Sequence, residues 1–322
     1  MRSFNVVFRS AKERKNANFA ERNATLFSRF MTTSDDRPQH SVYGATCMVA
    51  SVLCFTINVL LLKHLSAHSE ISPWVFLSFR AIVGIAIIGT IFGRSGVVNF
   101  RRAATSRLLV IRGTFGVFGT AAYYFTISPL GPGKATLISN TYVVIGAVLA
   151  IWILKERLTA MKLFGNVVAF IGLVMLIGLS PRDLSIVTGY ELLALFGALM
   201  AAVTVIVIRQ LTRTESSATI YASQCIFVFL ASIFPAIAYW TAISPFDFGL
   251  LLLASACAAS GQLAMTDGFR HLTVAVGGAF QILLPVLISA GGVAFFSESF
   301  TSLQVVGASL ILVGCYGAVI SK

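Results

Sequence analysis

Ionisable side chains inside apolar runs are scarce in this chain of 322 residues, and two of them are arginines. Arg112 lies about four residues into one apolar run, and Arg80 about six residues past Trp74 in another. A charge at the centre of a membrane helix costs about 2.5–3.5 kcal/mol on insertion scales, so it has a partner or a purpose. For Arg112 two readings stand: it pairs an anionic group of a ligand, or it snorkels to the nearby surface and anchors its helix. Arg80 sits deeper and reads as an internal structural contact. Asp267 is a proton or cation site, or it caps a loop beside Arg270 and His271. The uncharged polar set is larger: Asn58, Thr120, Tyr123, Tyr124, Asn140, Tyr142, Gln262, Thr266 and Gln281. An amide in lipid needs an internal partner, so these residues should face the centre of a helix bundle. There they either orient a polar or aromatic ligand or tie helices together. Pro285, inside another apolar run, frees a carbonyl and is a hinge candidate.

Other chemistries find less support. Cys47, Cys54, Cys225, Cys257 and Cys315 stand singly, without metal-ligand or redox spacing, and read as small buried residues. His40 precedes the apolar runs, His64 and His68 flank one turn, and His271 stands alone. No His or carboxylate cluster forms at one depth, so an enzyme is disfavoured, and no metal or cofactor is expected. The sequence lacks the phosphate loop Gly-x-x-x-x-Gly-Lys-Ser/Thr. Energy for any movement of solute then comes from a gradient, a partner or the solute itself.

The elements that must position these residues follow from composition. The chain is 57% hydrophobic and 11% charged, with a mean hydropathy of +0.87, whereas soluble domains carry about 25% charged residues. Apolar runs of membrane-spanning length recur at roughly 43–62, 74–92, 108–126, 135–154, 162–179, 189–208, 218–240, 248–268, 275–296 and 303–320. The expected fold is an all-α polytopic membrane protein with ten transmembrane helices, its partners the lipid bilayer and a small-molecule substrate. The net charge of +12 does not indicate nucleic acid, because the basic residues sit in the tail and the short loops. With the N-terminus inside, the inner segments carry eight tail cations, Arg94, Arg101, Arg102, Arg107, Lys155, Arg157, Lys162, Arg209, Arg213, Arg270 and Lys322. The outer segments carry only Lys63, Lys134 and Arg182. By the positive-inside rule both termini are cytoplasmic. Residues 1–42 form a basic tail with interspersed phenylalanines and no secretory apolar core. It is a membrane-surface or transit-like segment, or the start lies at Met31.

A shift of 142 positions superposes the chain on itself. Glu156 then meets Glu298, Thr159 meets Thr301, Leu130 meets Leu272 and Gly119 meets Gly261, while Gly165 and Gly172 meet Gly307 and Gly314. The expected domains are a first repeat over 43–180 and a second over 189–320. Five spans per repeat is an odd number, so the second repeat is inverted relative to the first. Inverted repeats around a central site are the architecture of many secondary transporters.

These features resemble the drug/metabolite transporter superfamily, in particular bacterial proteins with two EamA-type domains. The resemblance rests on the five-plus-five spans, Arg80 in Phe-Leu-Ser-Phe-Arg-Ala, the Glu-x-x-Thr endings at Glu156 and Glu298, and Leu284-Pro285-Val286. The first half departs from the pattern, with Tyr142-Val143 where a proline is usual. Arg112-Gly-x-x-Gly and the following Pro-Leu-Gly-Pro-Gly-Lys-Ala are similar to the branch that includes S-adenosylmethionine and riboflavin uptake carriers. The resemblance implies a multi-pass protein of the bacterial inner membrane and a substrate path lined by spans three, four, eight and nine. It implies a secondary transporter of a small organic metabolite by alternating access: a vitamin such as riboflavin, a nucleoside-like cofactor or an amino acid. Export of amino acids or toxic compounds is the alternative, and a non-transporting sensor or partner subunit is the alternative of another class. The coupling ion, a proton among the possibilities, is not specified. Arg112 with the aromatic and amide set favours an aromatic or heterocyclic substrate, and Glu156, Glu298, Arg80, Asn58, Asp267 and Pro285 are structural or gating candidates.

Overall fold

A computed structural model describes residues 41–69, 71–93, 96–130, 132–156, 159–177, 189–296 and 301–320. Residues 1–40, with the alternative start at Met31, lie outside the described residues, as do Gly131 and Glu298. Every regular element among the described residues is a helix. In chain order they are α1 (Ser41–His68), α2 (Pro73–Ile87), α3 (Phe100–Thr105), α4 (Arg107–Leu130), α5 (Pro132–Ile153), α6 (Ala160–Ile177), α7 (Gly189–Leu211), α8 (Ser217–Ala238), α9 (Pro245–His271), α10 (Val274–Phe296) and α11 (Ser302–Ile320).

The starts of these helices are written locally. Ser72 and Ser244 each precede a proline at the first helical position, where the missing N–H costs nothing. The Ser244 hydroxyl accepts from the Asp247 amide at 3.1 Å, and Ser216 caps α8 through the Thr219 amide at the same distance. The segment between α2 and α4, which the sequence presents as a plain loop, contains α3. Asn99 starts it by accepting the Arg102 amide at 2.8 Å, and Arg102 pairs with Glu215 at 2.8 Å. The end of α2 widens into one π turn over Ile88–Phe92, where the Thr90 hydroxyl bonds back to the Ala86 carbonyl at 2.8 Å.

Seven helices among the described residues are long and apolar enough to cross a bilayer: those within α1, α4, α7, α8, α9 and α10, and the run of α2 with its π turn, Pro73–Phe92. Three shorter apolar stretches, Ile138–Ile153, Ala160–Leu176 and Ser302–Ala318, lie in α5, α6 and α11. Trp152, Phe234 and Phe295 are each 77% exposed. Large apolar side chains presented outward on so many helices suit a lipid solvent.

Packing is densest where side chains are smallest. A Cβ added to Gly165 would stand 2.6 Å from the Gly314 carbonyl, and one added to Gly172 would stand 2.6 Å from that of Gly307. The α6 and α11 backbones therefore touch, with no room for even a methyl group. The two contacts run in opposite sequence directions, so α6 and α11 are antiparallel. The four glycines are the pairs matched by the shift of 142. In the same way, α1 lies antiparallel on α9 through Asn58 with Ala254 and Ser51 with Gly261. Likewise α4 lies antiparallel on α7, through Gly119 with Ala201 and Ala122 with Gly197. Exchanging each helix for its counterpart in the shifted sequence turns the first of these pairs into the second.

Candidate functional site

Two clusters of polar side chains are buried in the bundle, and each is built around arginine. The first lies between α2, α4, α8 and α9. Arg112 on α4 is 1% exposed, and its Nη2 donates to Gln224 Oε1 on α8 at 2.8 Å. Its Nε and Nη1 meet no acceptor. Gly116, one turn on, leaves the space in which the guanidinium lies: a Cβ there would stand 2.5 Å from Nη1. Arg80 on α2 donates from Nη2 to Gln262 Oε1 on α9 at 3.3 Å, with its guanidinium 5.9 Å from the centre of the Phe55 ring. Tyr221 and Cys225 on α8 lie within electrostatic reach of both arginines, and Tyr124 lies beside Arg80. No ion pair to Arg80 or Arg112 occurs among the described residues.

The second cluster joins the ends of α5, α7, α9 and α10. After α5, Lys155 takes a φ of 54°, the left-handed region that costs a non-glycine residue about 1–2 kcal/mol. The Glu156 amide turns back to the Ala150 carbonyl at 3.2 Å, and its carboxylate is thereby aimed at the start of α10. There Oε2 accepts the Val274 amide at 3.0 Å, an acid on the positive end of a helix dipole. Oε1 meets Arg209 Nε at 3.4 Å, and Arg209 Nη1 donates to the Phe269 and Arg270 carbonyls at 2.9 and 2.8 Å. Burial pushes the Glu156 carboxyl above the ordinary carboxylate range, against the opposing pull of Arg209 and the Val274 amide.

The remaining candidates are dispersed. Gln281 faces α1, donating to Ser51 Oγ at 3.4 Å and to Met48 Sδ at 3.7 Å. Asn58 donates to the Ala254 carbonyl at 2.8 Å, and the Thr266 hydroxyl donates to the Gln262 carbonyl of its own helix, also at 2.8 Å. Tyr142 packs against two apolar clusters of the core, one that includes Leu109 and one that includes Ile282. Tyr123 and Tyr124 meet edge to face at 6.1 Å, Asn140 is buried on α5, and Thr120 is partly buried on α4. Asp267 accepts from Tyr43 and Ser217, both at 3.0 Å, and pairs with Arg270 at 3.3 Å. Pro285 lies inside α10, and Gly291 of the same helix faces Leu60 of α1.

The profile of the EamA-like transporter family matches the chain twice, over residues 42–178 and 188–320. The chain belongs to that family. Among curated relatives, it is similar to the pseudopaline exporter of Pseudomonas aeruginosa (strain UCBPP-PA14), with 25% identity over 83% of this chain and 93% of the relative. It is similar as well to the S-adenosylmethionine uptake transporter of Rickettsia prowazekii (strain Madrid E), with 24% identity over 84% of this chain and 90% of that one. A solved structure shares the fold at a TM-score of 0.70 and 17% identity, covering 86% of this chain and 96% of the other. This EamA-like protein is thus a multi-pass protein of the bacterial inner membrane with transporters for relatives.

Three members of the two clusters, Tyr221, Gln224 and Arg209, are absent from the candidates that sequence reasoning assembled. Tyr221 and Gln224 open the apolar part of α8, as polar residues in an apolar run, and that pattern could have marked them. Arg209 stands near the end of α7, where a cation reads as a topological anchor. Only the packing of α7 against α9 buries it.

Proposed function

We propose that this chain is a secondary carrier of small organic metabolites that crosses the membrane ten times. Its halves, residues 43–180 and 189–320, are two inverted five-helix repeats, and both termini are cytoplasmic. The ten crossings rest on the seven long apolar helices together with the shorter ones in α5, α6 and α11. The antiparallel crossing of α6 and α11 through glycines matched by the sequence repeat supports the inversion.

One observation carries the carrier reading. The polar cluster of Arg80, Arg112, Gln224 and Gln262 takes its arginines from the first half and its amides from the second. A solute held there touches both halves at once, so rocking one half against the other changes the side from which it is reached. The Glu156–Arg209 cluster ties the cytoplasmic ends of α5, α7, α9 and α10 together and serves as the inner gate. Opening inward requires those bonds to break. The aromatic edge beside the cluster, Tyr123 and Tyr124, favours substrates with a planar ring.

The test is flux in vesicles of both orientations containing the full chain. Labelled S-adenosylmethionine, riboflavin and an amino-acid mixture are offered with and without an imposed proton gradient, beside Arg112→Ala and Tyr142→Ala. Saturable movement of one compound, lost in Arg112→Ala, supports the reading, and the dependence on orientation and gradient gives direction and coupling. Binding of a compound with no flux in either orientation makes the chain a sensor and sinks the carrier.

A further inference from the structure

Arg112, Tyr221, Gln224 and Gln262 are respectively 1%, 1%, 4% and 4% exposed, so water does not complete their hydrogen bonds from outside the bundle. The atoms left without partners in this cluster are Arg112 Nε, Arg112 Nη1, Gln262 Nε2 and Tyr221 Oη. Three of these can only donate, and the phenol can donate too. Both amide oxygens of the cluster are already engaged by guanidiniums: Gln224 Oε1 by Arg112, Gln262 Oε1 by Arg80. The unmet bonding therefore falls mainly on donors, and no negative charge stands in the cluster among the described residues. Two guanidiniums that repel each other in a low-dielectric interior hold together without a carboxylate among the described residues. A burial of this kind is expensive unless something pairs it.

We infer that Arg80 and Arg112, with the Gln262 amide and the Tyr221 phenol, form an anion site that grips a carboxylate or phosphate group of the transported solute. An anion there accepts from donors of α4 and α8–α9 together and neutralises the charge that α2 and α4 bring in. The site deepens the carrier reading, on which its role in transport rests, by restricting the substrates to organic anions and to zwitterions with an exposed acidic group. Arg209 supplies the contrast: its guanidinium has a carboxylate and two carbonyls, and it needs no solute.

The experiment uses the full chain in nanodiscs of phosphatidylcholine alone, with thermal midpoints read at matched ionic strength. Citrate, malonate and inorganic phosphate are added separately, with chloride as the baseline. The midpoint rises with anion concentration and saturates in the wild type, and the rise is lost in Arg112→Met and reduced in Arg80→Met. Without added anion, Arg112→Met unfolds at or above the wild-type temperature, because an unpaired buried charge has been removed; a purely structural arginine gives the opposite sign. No saturable rise, or an equal rise in Arg112→Met, overturns the inference. A second set of discs contains phosphatidylglycerol, and stabilisation there without a response to soluble anions assigns the site to a lipid headgroup and also overturns it. Flux of a purely cationic solute that survives Arg112→Met leaves the carrier standing and removes the anion site. An anion-dependent rise with no flux of any anion does the reverse.

Discussion

Arg209 and Arg112 are two buried guanidiniums in one bundle, and they differ in how completely they are paired. Arg209 closes a set of contacts that begins with Glu156 and ends on the carbonyls of α9, so its donors serve the fold. Arg112 has one amide oxygen and two nitrogens without a hydrogen-bond partner. Both charges are buried, but only one has its compensation built into the chain. On the reading proposed above, the charge left uncompensated between the halves is the place for a ligand, and the one paired at the helix ends is the latch.

The comparison breaks most readily at Arg209. Arg209→Met leaves the Glu156 carboxylate buried and unpaired, and the expected loss is about 3–5 kcal/mol of stability, read as a large drop in the thermal midpoint. The carboxyl then sits further above its unfolded value than it already does, so the folded chain holds more protons than the unfolded one. The penalty is absent below the unfolded carboxylate pKa of about 4.3 and grows as pH rises through the raised folded value. A midpoint difference from wild type that is the same at pH 5 and pH 8 counts against this account. Glu156→Gln is milder, with an expected loss of about 1–2 kcal/mol. It removes the charge but keeps one acceptor for Arg209 or for the Val274 amide, so the two bonds cannot both persist.

At the other cluster the effects on stability are small and those on transport are large. Gly116→Ala pushes a methyl group into the space held by Arg112 Nη1. The displaced atom is the end of a flexible side chain, so the thermal midpoint changes little while affinity in a flux assay falls. A large loss of stability instead means that the guanidinium is rigidly fixed and belongs with Arg209. Arg112→Met closes the series with no loss of stability or a slight gain, together with loss of transport.

The legible part of this protein was local. Hydropathy alone marked the seven helices long and apolar enough to cross a bilayer, and the shift of 142 picked out Gly165, Gly172, Gly307 and Gly314, which the structure brings into backbone contact. Those residues were legible because a small side chain every seventh position fixes one helix face without reference to any partner. The site was legible in type but not in membership. Arg80, Arg112 and Gln262 stood out as polar groups in apolar runs, whereas Tyr142, which the same reasoning placed beside them, packs among apolar neighbours. Whether a phenol on α5 turns toward the polar cluster or into a core depends on how the helix is rotated, and no local spacing sets that rotation.

The sequence by itself determined that these helices must lie in lipid and that the halves repeat. It also determined which side chains could not be left facing hydrocarbon, because the cost of burying a charge or an amide is a property of the residue. The tertiary structure decided which of them found partners. Gln224 is 112 positions from Arg112, and Glu156 is 53 from Arg209. Those meetings arise from the crossing of helices whose contact faces are set by packing, and the same packing left the Arg112 guanidinium short of acceptors.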